Sequence, residues 1–389
     1  MKANRRAYGF TLPEIMVSLV MLAFVSTLAL ALVMGTNTSS TRVRIVGDAQ
    51  TSGRLGLESL SADIRAAGAG LSSGQVGIAP GGGNARRVPV IYSGATTTVT
   101  APGGQTITSN SLFIVTGDPS TVGTPADASG MQGVVVTASQ NTPLTIVCVD
   151  ASGASVDCAT GLLKTLSPLL VGDFRDAVYL TPTVLGAPQG TPPTQQLTYA
   201  EQAGTAFSPS PKAPFGFVPG AILTRIRVVH WYLWQPSATE RPQLRRSFPK
   251  LTTTALNAAC ANGDLPFLDE TNDASGNSPV GADMSGGAIE SLQIRFMTDP
   301  LNTDDPAQFT QINSIGVCDV SVPATLREVR LQVVARTTVP DVDQATRMRN
   351  LYSTPGFEGT SPSSTTQDAY PRRAFTVSVA PRSLQGVRL

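Results

Sequence analysis

The 389-residue chain is poor in charge and nearly empty of histidine. Charged residues make up 14% of it, the net charge is +1, and His230 is its sole histidine. The first scarcity argues against a nucleic-acid partner, because such binders carry a basic surplus or stripe. The second makes any Ser-His-Asp or Cys-His site depend on His230. That residue sits inside "IRVVHWYLW" and reads as a core or interface histidine. The sequence has no G-x-x-x-x-G-K-[ST] loop, so the energy for any assembly must come from an ATPase elsewhere. No pair of cysteines has C-x-x-C spacing, whereas structural zinc sites bring their ligands in close pairs. One stretch, "LDETNDASGN" at 268–277, alternates Asp269, Thr271 and Asp273 as a Ca²⁺ loop does. It lacks the glycine at position six and the glutamate at position twelve, and a solvated loop is the better reading. No cofactor and no catalytic residue is expected.

Glycine and proline are plentiful, at 36 and 29, and serine and threonine are dense beyond residue 70. That mixture suits short strands joined by turns. Strand candidates fall at 88–93, 111–117, 133–138, 144–150, 177–184, 222–234, 243–248, 288–297, 327–337 and 373–380. Both faces of 222–234 are largely apolar, which predicts a central strand covered on both sides. The stretch 70–87 has loop composition, and "GTPPTQQ" (190–196) and "SPSPKAPFGFVPG" (208–220) read as linkers.

The N-terminus is different. From Phe10 to Met34 the only ionisable side chain is Glu14. As a helix these residues span roughly 37 Å, enough for a bilayer core of roughly 30 Å. Lys2, Arg5 and Arg6 precede the run, and no charge follows it until Arg42, so positive-inside asymmetry puts the body outside. A secretory signal peptide cut within the small polar residues 36–41 is the rival reading. Against it, the run is longer than a signal core, and helical spacing continues beyond it. Gly53, Leu57, Leu60, Ile64 and Ala67 form a seam on one helical face, with Asp63 among the residues off it. The spacing predicts one helix from about residue 11 to about residue 66, stopped by Gly68 and Gly70.

With these residues in place, "GFTLPE" at 9–14 resembles the class III leader of type IV prepilins and type II secretion pseudopilins. The resemblance implies cleavage after Gly9 by a prepilin peptidase, N-methylation of Phe10, and an acidic docking residue at Glu14. In the family that acid is thought to pair with the N-terminus of an adjacent subunit. The departure is Pro13, where an aliphatic residue is commoner. A helical proline removes a bond to the carbonyl four residues back, here that of Gly9, so it disfavours helix through the uncut site and is tolerated in the first turn afterwards. "LSADIRAAGAG" (60–70), "ILTRIRVVHWYLWQP" (222–236), "QLRRSF" (243–248), "LREVRLQVVARTT" (326–338) and "RRAFTVSVAPRSL" (372–384) resemble large minor pilins of the PilW type and the related J-type pseudopilins. The length of the body favours the PilW type.

The resemblance implies an α+β, type IV pilin-like fold: a long N-terminal helix packed on an antiparallel sheet, with a large β-rich insertion. The expected segments are a leader (1–9), a transmembrane half-helix (10–34), an amphipathic half-helix (35–67), a β-rich insertion (68–220) and a C-terminal sheet region (221–389). The implied role is that of a structural minor pilin, inserted in the inner membrane with a periplasmic body and then joined to a surface pilus near its tip. Its implied partners are other minor and major pilins, the prepilin peptidase, the inner-membrane assembly platform and a tip adhesin. A J-type pseudopilin and a membrane-anchored periplasmic binding or enzymatic domain are the alternatives. In an exported body, Cys148, Cys158, Cys260 and Cys318 suit two disulfides. Cys148 and Cys158 enclose a turn-rich nine residues, which favours pairing them with each other and Cys260 with Cys318, although two other pairings remain open.

The leader gives the first test. Co-expression with a prepilin peptidase should yield a chain that starts at Phe10 by intact-mass spectrometry, and Gly9→Val should block the cut. A retained Met1 or a start near Thr38 overturns the prepilin reading.

Overall fold

A helix with one apolar seam has to lay that seam on something broad and flat. The computed structural model describes residues 11–68, 75–78, 86–101, 104, 106–117, 132–136, 143–150, 152–160, 169–172, 177–180, 182–199, 219–248, 281–285, 288–301, 303, 305–316, 325–337, 340, 357, 368 and 370–381. Its helix runs Leu12–Ala66. Leu57, Leu60, Ile64 and Ala67 are buried as the spacing predicts. A Cβ at Gly53 would lie 2.5 Å from the Phe375 ring, so only glycine lets the helix come this close. Beyond the helix, Gly68 takes a left-handed φ of 67° and its N–H donates to the Val115 carbonyl at 2.9 Å.

The seam rests mainly on the Leu326–Arg336 and Arg372–Val379 strands. These belong to an antiparallel sheet of order Thr310–Ile312, Ala288–Thr298, Leu326–Arg336, Arg372–Val379. The architecture is therefore α+β, with a long N-terminal helix on antiparallel sheets. The central Ile222–Trp234 strand is not the main support of the seam. That strand meets the helix flank through a polar tie. The Trp231 indole N–H donates to Asp63 at 2.8 Å, and Arg246 pairs with the same carboxylate at 2.6 Å. A buried indole N–H needs an acceptor, and a carboxylate beside the seam supplies one.

Ile222–Trp234 is central, as its two apolar faces predict. Its later residues pair with Leu112–Gly117 on one side and Gln243–Ser247 on the other, and Ile91–Ser93 extends the first side. Every residue from Val228 to Leu233 is buried. Its first residues pair with Leu169–Gly172 and Gln132–Val135, in a neighbouring part of the same sheet. The two ends serve two cores. The first holds the helix seam, Trp231, Phe113, Phe296 and Leu331. The second holds Leu144, Ile146, Leu169, Leu197, Leu223 and the half-cystines Cys148 and Cys158. Residues 68–220 thus contribute to both cores.

Two readings of the loops change. The 70–87 stretch contains Gln75–Ile78, paired antiparallel with Arg86–Pro89; backbone ladders form here without an alternating apolar pattern to announce them. "GTPPTQQ" is no linker but the turn between Pro182–Leu185 and Gln195–Tyr199, closed by reciprocal backbone bonds between Gln189 and Thr194 at 2.8 Å. Pro192 and Pro193 sit at its tip, where no ladder N–H is required.

One end of the four-stranded sheet is locked by charge. The Arg372 side chain is 2% exposed and that of Glu290 0%. Arg372 donates to both carboxylate oxygens of Glu290 through Nε and Nη2, and to both oxygens of Asp368 at 2.7 Å. Burial pulls the Arg372 guanidinium down, but its bonds to Glu290 and Asp368 outweigh that and hold it above the usual arginine range. Neighbouring Arg336 stands over the Tyr370 ring at 5.0 Å, and burial lowers it despite Glu290. Removing Glu290 takes away one of the two carboxylates that the buried Arg372 donates to. Glu290→Ala should cost about 3–5 kcal/mol in urea unfolding of the detergent-solubilised chain followed by circular dichroism.

His230 belongs to a row of rings on the sheet face away from the helix. Tyr92, Phe113 and His230 are consecutive cross-strand partners. Phe113 stacks on Tyr92 at 5.1 Å and on His230 at 4.0 Å, and Tyr232 closes the row 4.7 Å from His230. The histidine is a core residue here. Burial raises the Tyr92 phenol well above its ordinary value. An unfolded tyrosine ionises near pH 10 while the folded one keeps its proton, so this contribution to stability is complete below about pH 10 and declines above it. Alkaline titrations of unfolding free energy should fall more steeply above pH 10 in the parent than in Tyr92→Phe.

Candidate functional site

The first half of the helix is the part of the molecule with no core to join. Among the described residues it is the one helix long and apolar enough to cross a membrane, and none of its apolar window is buried. Leu19, Val20, Leu22, Phe24 and Val25 are 59–69% exposed, so large apolar side chains point outward on every side. Among the described residues, Ala49 is the first buried apolar one along the chain. Exposed helix therefore continues past the end of the apolar run at Met34, through Thr36, Asn37, Thr41, Arg42 and Arg44.

Three hydroxyls in or just beyond the apolar run are satisfied by the helix itself. Ser18 donates to the Glu14 carbonyl at 2.8 Å, Thr27 to those of Ala23 and Phe24 at 2.9 and 2.8 Å, and Thr36 to that of Val33 at 3.0 Å. Such back-bonding is what a segment in lipid requires, since hydrocarbon offers no partner.

At the start of the helix, Thr11 is the N-cap, with extended φ −80° and ψ 149°, and Pro13 lies in the first turn, where its missing N–H leaves no helical bond unmade. Glu14 reaches back to Thr11, accepting from its backbone N–H at 3.3 Å and from its hydroxyl at 3.3 Å. A first-turn acid in this position satisfies an orphan donor and complements the positive end of the helix. The lone carboxylate of the apolar run thus already has an intrachain role. It remains at the exposed start of the rod, one turn from the expected cleavage point.

Of the other residues singled out by sequence, Gly9 and Phe10 lie outside the described residues, as do Cys260, Cys318, Asp269, Thr271 and Asp273. Cys148 and Cys158 form a disulfide with Cα atoms 5.2 Å apart, buried in the second core. The spacing argument missed Asp63. Its only signal was a charged residue one position before the seam's Ile64, in a chain with two tryptophans whose indoles need acceptors.

Residues 4–30 match the family model of the prokaryotic N-terminal methylation motif. The chain carries an N-terminal methylation motif. Among solved structures, a type IV-like pilin from Thermus thermophilus is similar over 56% of this chain and 86% of its own length, at 12% identity and a TM-score of 0.20. No curated protein matches. The leader, the exposed continuous helix and the antiparallel sheets beneath its second half support a type IV pilin-like protein.

Proposed function

We propose that this chain is a structural subunit of a type IV pilus, a minor pilin of the PilW type that joins the filament near its tip and helps to start assembly. The observation that carries the reading is the division of one helix. A methylation leader opens it, its apolar half has no burial, and one face of its second half is buried on a folded body. An anchor alone needs no rigid continuity with the body. A filament subunit does, because the apolar rod must pass from lipid into a bundle of like rods while the body stays outside.

In this reading the peptidase removes residues 1–9, the apolar half holds the chain in the inner membrane with its body in the periplasm, and an assembly platform moves it into contact with other minor and major pilins. A tip adhesin is a further candidate partner. The length of the body favours this role over that of a J-type pseudopilin.

Glu14 is the proposed docking group, and its bond to Thr11 sharpens the test. Cleavage after Gly9 creates a positive amine on Phe10. In lipid, a neighbour's amine is a stronger partner for a carboxylate than a neutral N–H. Glu14→Gln keeps an amide oxygen able to cap Thr11 but removes the charge, and Glu14→Leu removes both. Crosslinking in native membranes should show Gly9 cleavage and insertion intact in both variants, with recovery of neighbouring pilins sharply reduced in both. If Glu14→Gln recovers neighbours as well as the parent and only Glu14→Leu fails, the residue is a helix cap and not the docking group.

A further inference from the structure

The second core is small and separately built. Ten buried residues make it up among the described residues, against thirty-one in the first, and the two sets share none. Two of those ten are Cys148 and Cys158, 0% and 1% exposed. Cys148 lies on the Leu144–Val149 strand and Cys158 opens a short 3-10 turn, Cys158–Thr160, outside the sheet ladder. Apart from the disulfide, that turn is tied by Gln195. Its Oε1 accepts from the Cys158 N–H at 2.8 Å, and its Nε2 donates to Asp157 at 2.9 Å and to the Gly186 carbonyl at 3.0 Å. Cores this small rarely hold without a covalent staple.

We propose that the insertion is a redox-set unit: the Cys148–Cys158 bond decides whether the second core folds, while the helix-bearing core folds without it. The two thiols lose two protons and two electrons as the Sγ–Sγ bond forms, and a protein disulfide oxidant accepts both electrons and is left as a dithiol. Because the bond is buried, it is set once, during export. The inference does not depend on the pilin reading and fails or holds separately from it.

The test is amide hydrogen exchange with mass spectrometry on the full detergent-solubilised chain. It compares the parent with Cys148→Ser/Cys158→Ser and with Cys148→Ala/Cys158→Val, which leaves any other cysteine pairing untouched. Closing a loop of this length predicts that both double variants lose about 100-fold of protection in Leu144–Val149 and Gln195–Tyr199. Protection in Ala288–Thr298 and Leu326–Arg336 should change less than about threefold. Equal loss in both cores would make the body one cooperative unit and overturn the proposal. So would retained protection in the Ala/Val variant, which would show that packing and not the crosslink holds the insertion, or the absence of a Cys148–Cys158 peptide on non-reducing mapping of the parent.

Discussion

Between Leu12 and Ala66 a single hydrogen-bonded rod passes from a half that nothing in the body covers to a half that the body is built around. At about 1.5 Å per residue it is roughly 80 Å long. Its two halves face opposite demands. In lipid every backbone group must be satisfied within the segment and side chains are free to be apolar all round. In the body one narrow face must fit a sheet and the rest must meet water. The close contact of Gly53 with Phe375 and Ala335 is where the second demand is met most tightly. It sets the distance from rod to sheet, and with it the direction in which the exposed half leaves the body.

Seating by shape is supplemented by seating by charge. Asp63 is the one side chain of the last helical turns that takes both an indole N–H and a guanidinium, from two neighbouring strands of the larger sheet. On its seam side the same helix lies on the four-stranded sheet, one end of which is joined through Arg372, Glu290 and Asp368. The helix thus meets two sheets, the four-stranded one through its apolar seam and the larger one through Gly56 against Leu244 and through the Asp63 ion pair. Along the seam, the close contact at Gly53 already marks one position against the sheet. A carboxylate that must meet Trp231 and Arg246 at once fixes a single register. Buried polar groups specify geometry in this way even where they add little net stability.

Much of this was legible in the sequence, and the reasons are physical. The helix, its seam and its stop at Gly68 follow from a 3.6-residue period sustained over many turns. The long strands at 222–234, 288–298 and 326–336 follow from apolar runs or alternation bounded by turn residues. The leader is a short motif whose chemistry requires those residues in that order. The partner of the seam was not legible. Spacing says which face is buried and nothing of what buries it, and the apolar Ile222–Trp234 strand was a better advertised surface than the half-polar Arg372–Val379 strand. Gln75–Ile78 and Gln195–Tyr199 were missed because their pairing is carried by backbone groups, while their side chains show the composition of loops. Pairing of Cys148 with Cys158 was readable because nine intervening residues rich in turn formers leave little other way for the chain to return.

The body shows how two cores can share a single strand. Thirteen residues of extended chain, Ile222–Trp234, reach roughly 43 Å, long enough to enter two cores in succession. Leu223 is buried in one and Val228 to Leu233 in the other. Between them the strand changes partners, from Gln132–Val135 and Leu169–Gly172 to Leu112–Gly117 and Gln243–Ser247, with no break in its own backbone. A strand tolerates such a change because its ladder bonds are made residue by residue and its faces alternate independently of who the neighbour is. A helix in the same place would have had to present one continuous stripe to both cores. Extended chain at this junction therefore joins the second core to the first without entering the contacts of the Leu326–Arg336 and Arg372–Val379 strands with the N-terminal helix.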